Sequence, residues 1–195
     1  MLHVLRHGET QWNVAGRSQG RLDSPLTAKG ERQADALGRA LAESLGAAAA
    51  PLKTYVSPLG RAQRTADLAS VHLTLDRIIE PRLAEVDMGA WDGKTMLEIE
   101  AEYPGAMAGT TTFDWCFRGP GGETFEVMID RVTRWLNDLD GGPAAAICHG
   151  VTSRLVRGVY LGLTKEYMLA LPIPQDGFFT LNGGFETYVP AETRL

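Results

Sequence analysis

The chain has 195 residues, with 19 Lys and Arg against 24 Asp and Glu and a formal net charge of −5. Hydrophobic residues make up 44%, which is enough to bury a sizeable core and too much for intrinsic disorder. The acidic balance argues against a general binder of nucleic acid or of an anionic membrane, so an anion site has to be a local cluster of basic groups. Cys116 and Cys148 are the only cysteines, with no CxxC spacing, which excludes a disulfide framework and a Cys-rich zinc site. Arg6 and His7 interrupt the first apolar residues before a signal peptide core could form, and no apolar run approaches the ~18 residues of a spanning helix. These features lead to the expectation of a cytoplasmic protein with one domain over residues 1–195.

In chain order, Leu2 to Leu5 reads as a short strand that stops at Arg6-His7-Gly8. Thr27 to about Leu45 has helical periodicity, with Ala34, Leu37, Leu41 and Leu45 on one stripe and Thr27 as N-cap. Lys53 to Val56 is the next strand. Ser57-Pro58 reads as a helix start, Ser57 capping and Pro58 at the first helical position, and that helix runs to about Ser70. Leu73 to Leu75 and Ile78-Ile79 are edge-strand material. Ala47 to Ala50 is expected to be a loop or a frayed helix end. Thr95 with Glu98 fits a capping box and opens a short helix ending before Pro104. Residues 104–122 are irregular, rich in Gly, Thr and aromatics, and form a candidate lid. Glu123 to about Leu139 is an amphipathic helix. Ala144 to Cys148 is a continuous apolar run, as in a strand buried on both faces. Val151 to about Leu163 is helical, and residues 178–189 form a terminal hairpin around Asn182-Gly183-Gly184.

Strands alternating with helices predict an α/β fold, three layers α/β/α with a mostly parallel central sheet. Ligands of such sheets bind beyond the carboxyl ends of the strands. Arg6-His7 follow the first strand, Ser57 to Arg61 the second, and His149 the buried one, so two His and two Arg should meet at one rim. Two guanidinium forks suit a phosphate, and Arg61 falls in the first turn of its helix, where backbone N–H groups favour an anion. An imidazole nitrogen there could attack phosphorus, and a carboxylic acid would protonate the leaving alkoxide. Glu85, Asp87 and Asp92 occupy a suitable loop.

Each of these residues also has a plainer reading. A lone His at a strand end is usually a satisfied structural group, and His3 and His72 are left as such. Arg6 alone could cap a sheet rim, and Arg61 could be a solvated helix residue. No HExxH or HxH spacing supports zinc, and cationic neighbours oppose a dication.

Arg6-His7-Gly8-Glu9-Thr10, followed by Trp12-Asn13, resembles the RHGE signature of the histidine phosphatase superfamily, which includes cofactor-dependent phosphoglycerate mutases and many phosphatases. Further segments resemble that family in order: Gly16 to Thr27, Ser57 to Ala66, Leu83 to Gly93, Pro120 to Thr124, and His149-Gly150 with Arg154 and Leu161 to Leu163. The resemblance implies a phosphoglycerate mutase-like fold, with His7 as the nucleophile that becomes a phosphohistidine and Glu85 as proton donor. It implies that Arg6, Arg61 and His149 hold the phosphoryl oxygens with help from Asn13. Arg17, Gln19 and Gly20 in the following loop, and Trp115 in the lid, are candidates for contact with the rest of the substrate. Asp87 is the rival acid, Trp91 and Gly93 are read as shaping the loop, and Arg154 as part of a structural ion pair.

The mutases of this family are usually longer before the segment resembling Pro120 to Thr124, with basic residues for a sugar-acid carboxylate. Here residues 104–122 hold Arg118 as their only basic group, together with Phe113, Trp115 and Phe117. An apolar lid suits a less polar alcohol. The first expectation is therefore a phosphomonoesterase of histidine acid phosphatase type acting on small phosphorylated metabolites. A phosphoglycerate mutase is the alternative, and a catalytically silent phospholigand-binding module is a third reading. Apolar residues in the C-terminal hairpin would suit a homodimer.

Overall fold

The computed structural model describes residues 1–46 and 50–193. In chain order the elements are β1 (Leu2–Arg6), α1 (Gln11–Val14), α2 (Ala28–Leu45), β2 (Leu52–Val56), α3 (Gly60–Ala69), β3 (Leu75–Ile79), α4 (Met96–Glu102), α5 (Phe125–Asn137), β4 (Ala144–Cys148), α6 (Gly150–Tyr160), α7 (Lys165–Leu169), β5 (Gly177–Asn182) and β6 (Phe185–Pro190). They form a six-stranded mixed sheet in the order β3-β2-β4-β1-β5-β6. The first four of these strands run parallel, β5 pairs antiparallel to β1, and β6 pairs antiparallel to β5.

Helices cover both faces, which is why β4 is buried along its whole length. Its alternate residues serve two cores. Ala144, Ala146 and Cys148 pack with Met128, Val132, Trp135 and Leu155 from α5 and α6. Ala145 and Ile147 pack with Leu37, Leu41, Ala62 and Ala66 from α2 and α3. The three-layer α/β/α expectation holds. The register pairs Arg6 with Cys148 and Val56 with Ile147, so Arg6-His7, Ser57 and His149 leave the sheet at one edge.

Thr27 caps α2 by accepting from the Gly30 N–H, and Thr95 with Glu98 completes the capping box of α4. The start of α3 differs from expectation. Its N-cap is Leu59, and Pro58 stays outside the helix. Ser57 still belongs to the sheet, its N–H donating to Ile147 O at 3.0 Å, while its hydroxyl is engaged by His149 Nε2 at 2.6 Å. The two fragments read around residue 76 are one strand, β3, parallel to β2. The expectation for Ala47 to Ala50 falls on residues 47–49, outside the described residues. Among the described residues, no helix is long and apolar enough to cross a membrane. On the edge strand β6, Phe185 is exposed.

Candidate active site

A cleft of about 220 Å³ opens at the carboxyl ends of β1, β2 and β4. Arg6, His7, Arg61 and Glu85 line it, with Asn13 beside them. The loop after β1 is held against α2 by two glycines: a Cβ on Gly8 would strike the Gly30 carbonyl, and a Cβ on Gly30 would strike the backbone of Glu9. This close approach fixes the direction of His7.

His7 is buried, and its Nδ1 lies 2.7 Å from the Gly8 carbonyl. A carbonyl only accepts, so Nδ1 carries the proton and Nε2 keeps its lone pair. Burial, then the Arg6 and Arg61 cations, hold the imidazole well below its ordinary pKa and therefore neutral, against the opposing Gly8 hydrogen bond. Arg61 Nε donates to His7 Nε2 at 3.3 Å. Gln175 Nε2 donates to the His7 carbonyl at 2.9 Å.

The arginines are more committed than two open forks. Arg6 Nη1 donates to Ile173 O at 2.7 Å, while its buried Nε has no partner. Arg61 Nη1 serves Leu22 O and Asp23, and its Nη2 serves Gly20 O. The N-terminus of α3, read from sequence as a seat for the ligand anion, is taken by Asp23, which accepts from the backbone N–H groups of Gly60 and Arg61. The side chain thus fills the role a ligand anion would have.

His149 is fully buried and lies behind the cleft wall, its ring centroid 5.2 Å from that of His7. Its Nδ1 is buried without a partner. Burial, then Arg61, His7 and Arg6, push its pKa well down, so it is neutral too.

Glu85 is the carboxylate of the cleft. Its Oε1 accepts from the N–H groups of Val86 and Thr152 and lies 3.1 Å from Thr152 Oγ1, while Oε2 accepts from Val151 N at 3.0 Å. The carboxylate therefore caps α6 from outside, and Oε2 has coordination to spare. Asp87 does not line the cleft and accepts instead from Gly89 N within its own loop. Asp92 accepts from Arg21 N and Met88 N.

Gln19, Gly20 and Trp115 also line the cleft. Gly20 has φ +48°, and a Cβ there would run into the Asp92 carboxylate. Gln19 Oε1 is buried without a partner. Arg17 reaches the wall, but its guanidinium is spent on Glu98, at 2.7 and 2.8 Å, and on Gly93 O. Of the three aromatics in residues 104–122, the candidate lid, only Trp115 reaches the cleft, stacked on buried Trp91 with centroids 6.3 Å apart. Phe117 packs on Phe125 in an edge contact, and Phe113 lies against Arg154. Arg154 makes no ion pair among the described residues; its Nε donates to Leu171 O. Among the described residues, no group of three or more His, Cys, Asp or Glu is arranged to hold a metal ion. Ser57, Asp23, Thr152 and Gln175 hold site residues in place and were not singled out for that from sequence. Ser57 and Asp23 stood within segments that carry the family resemblance, Ser57 read there as a helix cap, while Thr152 lies three residues past His149 and outside the quoted motif.

Fold and site together define an α/β protein whose parallel strands end in a cationic, histidine-bearing cleft. The chain belongs to the histidine phosphatase superfamily (branch 1), whose profile matches residues 2–183. A Salmonella paratyphi C protein named "Probable phosphoglycerate mutase GpmB" is 35% identical over 168 residues, covering 83% of this chain and 75% of that one. The alpha-ribazole phosphatase of Shigella flexneri superposes with a TM-score of 0.79 at 26% identity, covering 98% of this chain and 96% of that one. A mycobacterial glucosyl-3-phosphoglycerate phosphatase in complex with VO3 gives a TM-score of 0.73 at 28% identity, covering 92% and 90%. The protein is thus an enzyme of the phosphatase or mutase type.

Proposed function

We propose that the protein is a phosphomonoesterase for small phosphorylated metabolites, working through a phosphohistidine on His7. The observation that carries this reading is the neutral His7 ring, held by Gly8 O through Nδ1 so that Nε2 keeps a lone pair at a cationic cleft also lined by Glu85. Arg61 Nε–H turns from Nε2 to the incoming phosphoryl oxygen, the freed Nε2 pair attacks phosphorus, the ester P–O bond breaks, and the leaving oxygen takes a proton from Glu85, whose Oε2 is the less engaged oxygen. Water then attacks the phosphoryl group and gives its proton to Glu85, and the P–N bond returns its pair to Nε2. Arg6 and the remaining N–H of Arg61 stabilise the phosphoryl charge, with Asn13 beside them. The unpartnered Nδ1 of His149 is left to meet a phosphoryl oxygen carried by His7. The chemistry draws on no cofactor.

The alternative, mutase activity, is favoured by the name of the Salmonella relative. Hydrolysis is favoured by the cleft wall of Val86, Met88, Trp115 and Cys116, and by an Arg17 already paired. Release of inorganic phosphate against transfer between 2- and 3-phosphoglycerate separates the two. In single turnover, Glu85→Gln should cost on the order of 10²–10⁴-fold on an alkyl phosphate and much less on p-nitrophenyl phosphate, whose leaving group needs no proton. An acid-labile, base-stable label should be trapped on His7 and be lost in His7→Ala. Equal slowing of both esters by Glu85→Gln would reassign the acid.

A further inference from the structure

We infer that Glu123 and Arg131 are positioning residues that hold the Glu85 loop at the cleft, an assignment that rests on the reading of Glu85 as the acid. Arg131 projects from α5 beneath that loop. Its Nη1 donates to Arg82 O and its Nη2 to Glu85 O at 3.3 Å. The same guanidinium binds Glu123 through Nε at 2.8 Å and Nη2 at 3.1 Å. Glu123 in turn accepts from Asp87 N at 2.9 Å, and its own N–H donates to Asp87 O at 2.7 Å. The backbone is therefore tied at residues 82, 85 and 87 to one ion pair. Glu123 Oε2 also accepts from Arg21 Nη2 at 3.1 Å, next in sequence to Gly20, whose carbonyl accepts from Arg61. One carboxylate thereby joins the acid loop, the loop carrying Gly20, and the end of the lid.

Stability alone is a weak reason for this arrangement. The pair is largely buried, and desolvation offsets much of the attraction, so apolar side chains of similar volume would stabilise about as well. What apolar side chains could not supply is directed bonding to a carbonyl and an N–H on either side of Glu85. The α6 N-terminus grips the Glu85 carboxylate, while the ion pair grips its backbone. With the second grip lost, the loop shifts and Oε2 leaves the position from which it protonates the leaving oxygen. The clamp touches none of His7, Arg6 and Arg61, and its one link towards Arg61 passes through Arg21 and the neighbouring Gly20 carbonyl, so attack on phosphorus is affected less.

The test is single-turnover phosphorylation by glycerol phosphate and by p-nitrophenyl phosphate in wild type, Glu85→Gln, Glu123→Gln and the double variant, with active sites counted by vanadate titration. Glu123→Gln should lose roughly tenfold to a hundredfold on the alkyl ester, the scale of a misplaced catalytic group, and much less on the nitrophenyl ester. With Glu85→Gln already present, Glu123→Gln should add little on the alkyl ester, because the group it positions is gone. An equal loss on both esters, or a full additional loss in the double variant, would overturn the inference and leave the pair as scaffolding. If Glu85→Gln alone treats both esters alike, the acid assignment itself fails and the inference falls with it. Where Glu123→Gln does not fold, Arg131→Lys, which keeps the charge and loses the fork, should show the same dependence on the leaving group.

Discussion

Arg61 Nε donates to His7 Nε2 at 3.3 Å, so the guanidinium that would meet the phosphoryl group also holds the proposed nucleophile. The same side chain is tied to Gly20 O, Leu22 O and Asp23. A lysine would keep the charge but could not serve these acceptors in one plane. Arg61→Lys should therefore weaken vanadate inhibition by roughly ten- to a hundredfold, the effect of losing charged hydrogen bonds worth about 1.5–3 kcal/mol. Alkyl and nitrophenyl esters should suffer alike, in contrast to Glu85→Gln. Unchanged vanadate inhibition would remove Arg61 from the phosphate site.

The cations lining this cleft are Arg6, Arg17 and Arg61, and among the described residues no group of three or more His, Cys, Asp or Glu is arranged to hold a metal ion. Activity should survive prolonged treatment with EDTA, and vanadate and tungstate should inhibit competitively. Loss of activity with chelator and recovery with a divalent ion would contradict this.

What the sequence disclosed and what it hid follow from the range of the interactions. The strand ends were legible because buried apolar runs and parallel order need only local pattern, and they brought Arg6, His7, Arg61 and His149 to one rim. The depth of His149 was not legible, because it depends on how Ser57, from another strand end, takes its Nε2. Asp23 at the start of α3 was likewise hidden, since a carboxylate far back in the chain reaches it only through the tertiary fold. Helices α1 and α7 were missed because four and five residues are too few for periodicity. In residues 104–122, composition marked three aromatics and Trp115 was the one named for substrate contact; the structure adds that Trp115 lines the cleft while Phe113 and Phe117 pack against other partners.

Three buried imidazoles make stability depend on pH. Burial first, helped by the N-terminal charge, lowers the pKa of His3 to about 4, and burial beside cations holds His7 and His149 well below the ordinary value. An unfolded chain protonates these rings near pH 6.5 while the folded protein does not, so the unfolded state binds more protons as the pH falls from about 6.5 towards 4. Stability is then intact above about pH 6.5 and lost below it, by up to about 4 kcal/mol per pH unit for three such groups. Urea midpoints between pH 7.5 and 5 would measure this. His3→Leu should make the dependence shallower, and a midpoint independent of pH over that range would refute the account.

Trp115 should decide which alcohols the enzyme accepts. It is the lid aromatic that lines the cleft, and its ring lies on Trp91, which is 1% exposed. An aromatic or apolar leaving group gains contact area against Trp115, whereas a phosphoglycerate gains little from it and finds Arg17 already bound to Glu98. Trp115→Ala should lower kcat/KM for aryl esters by on the order of ten- to a hundredfold, the worth of about 1–3 kcal/mol of apolar contact, and lower it less for phosphoglycerate. The truncation also uncovers Trp91, so a general loosening of the lid has to be separated from a lost contact. Trp115→Phe does this, because it preserves an aromatic surface over Trp91 and should recover most of the aryl activity. If Trp115→Ala costs both kinds of ester equally and Trp115→Phe restores both equally, Trp115 is packing for the lid and specificity lies elsewhere.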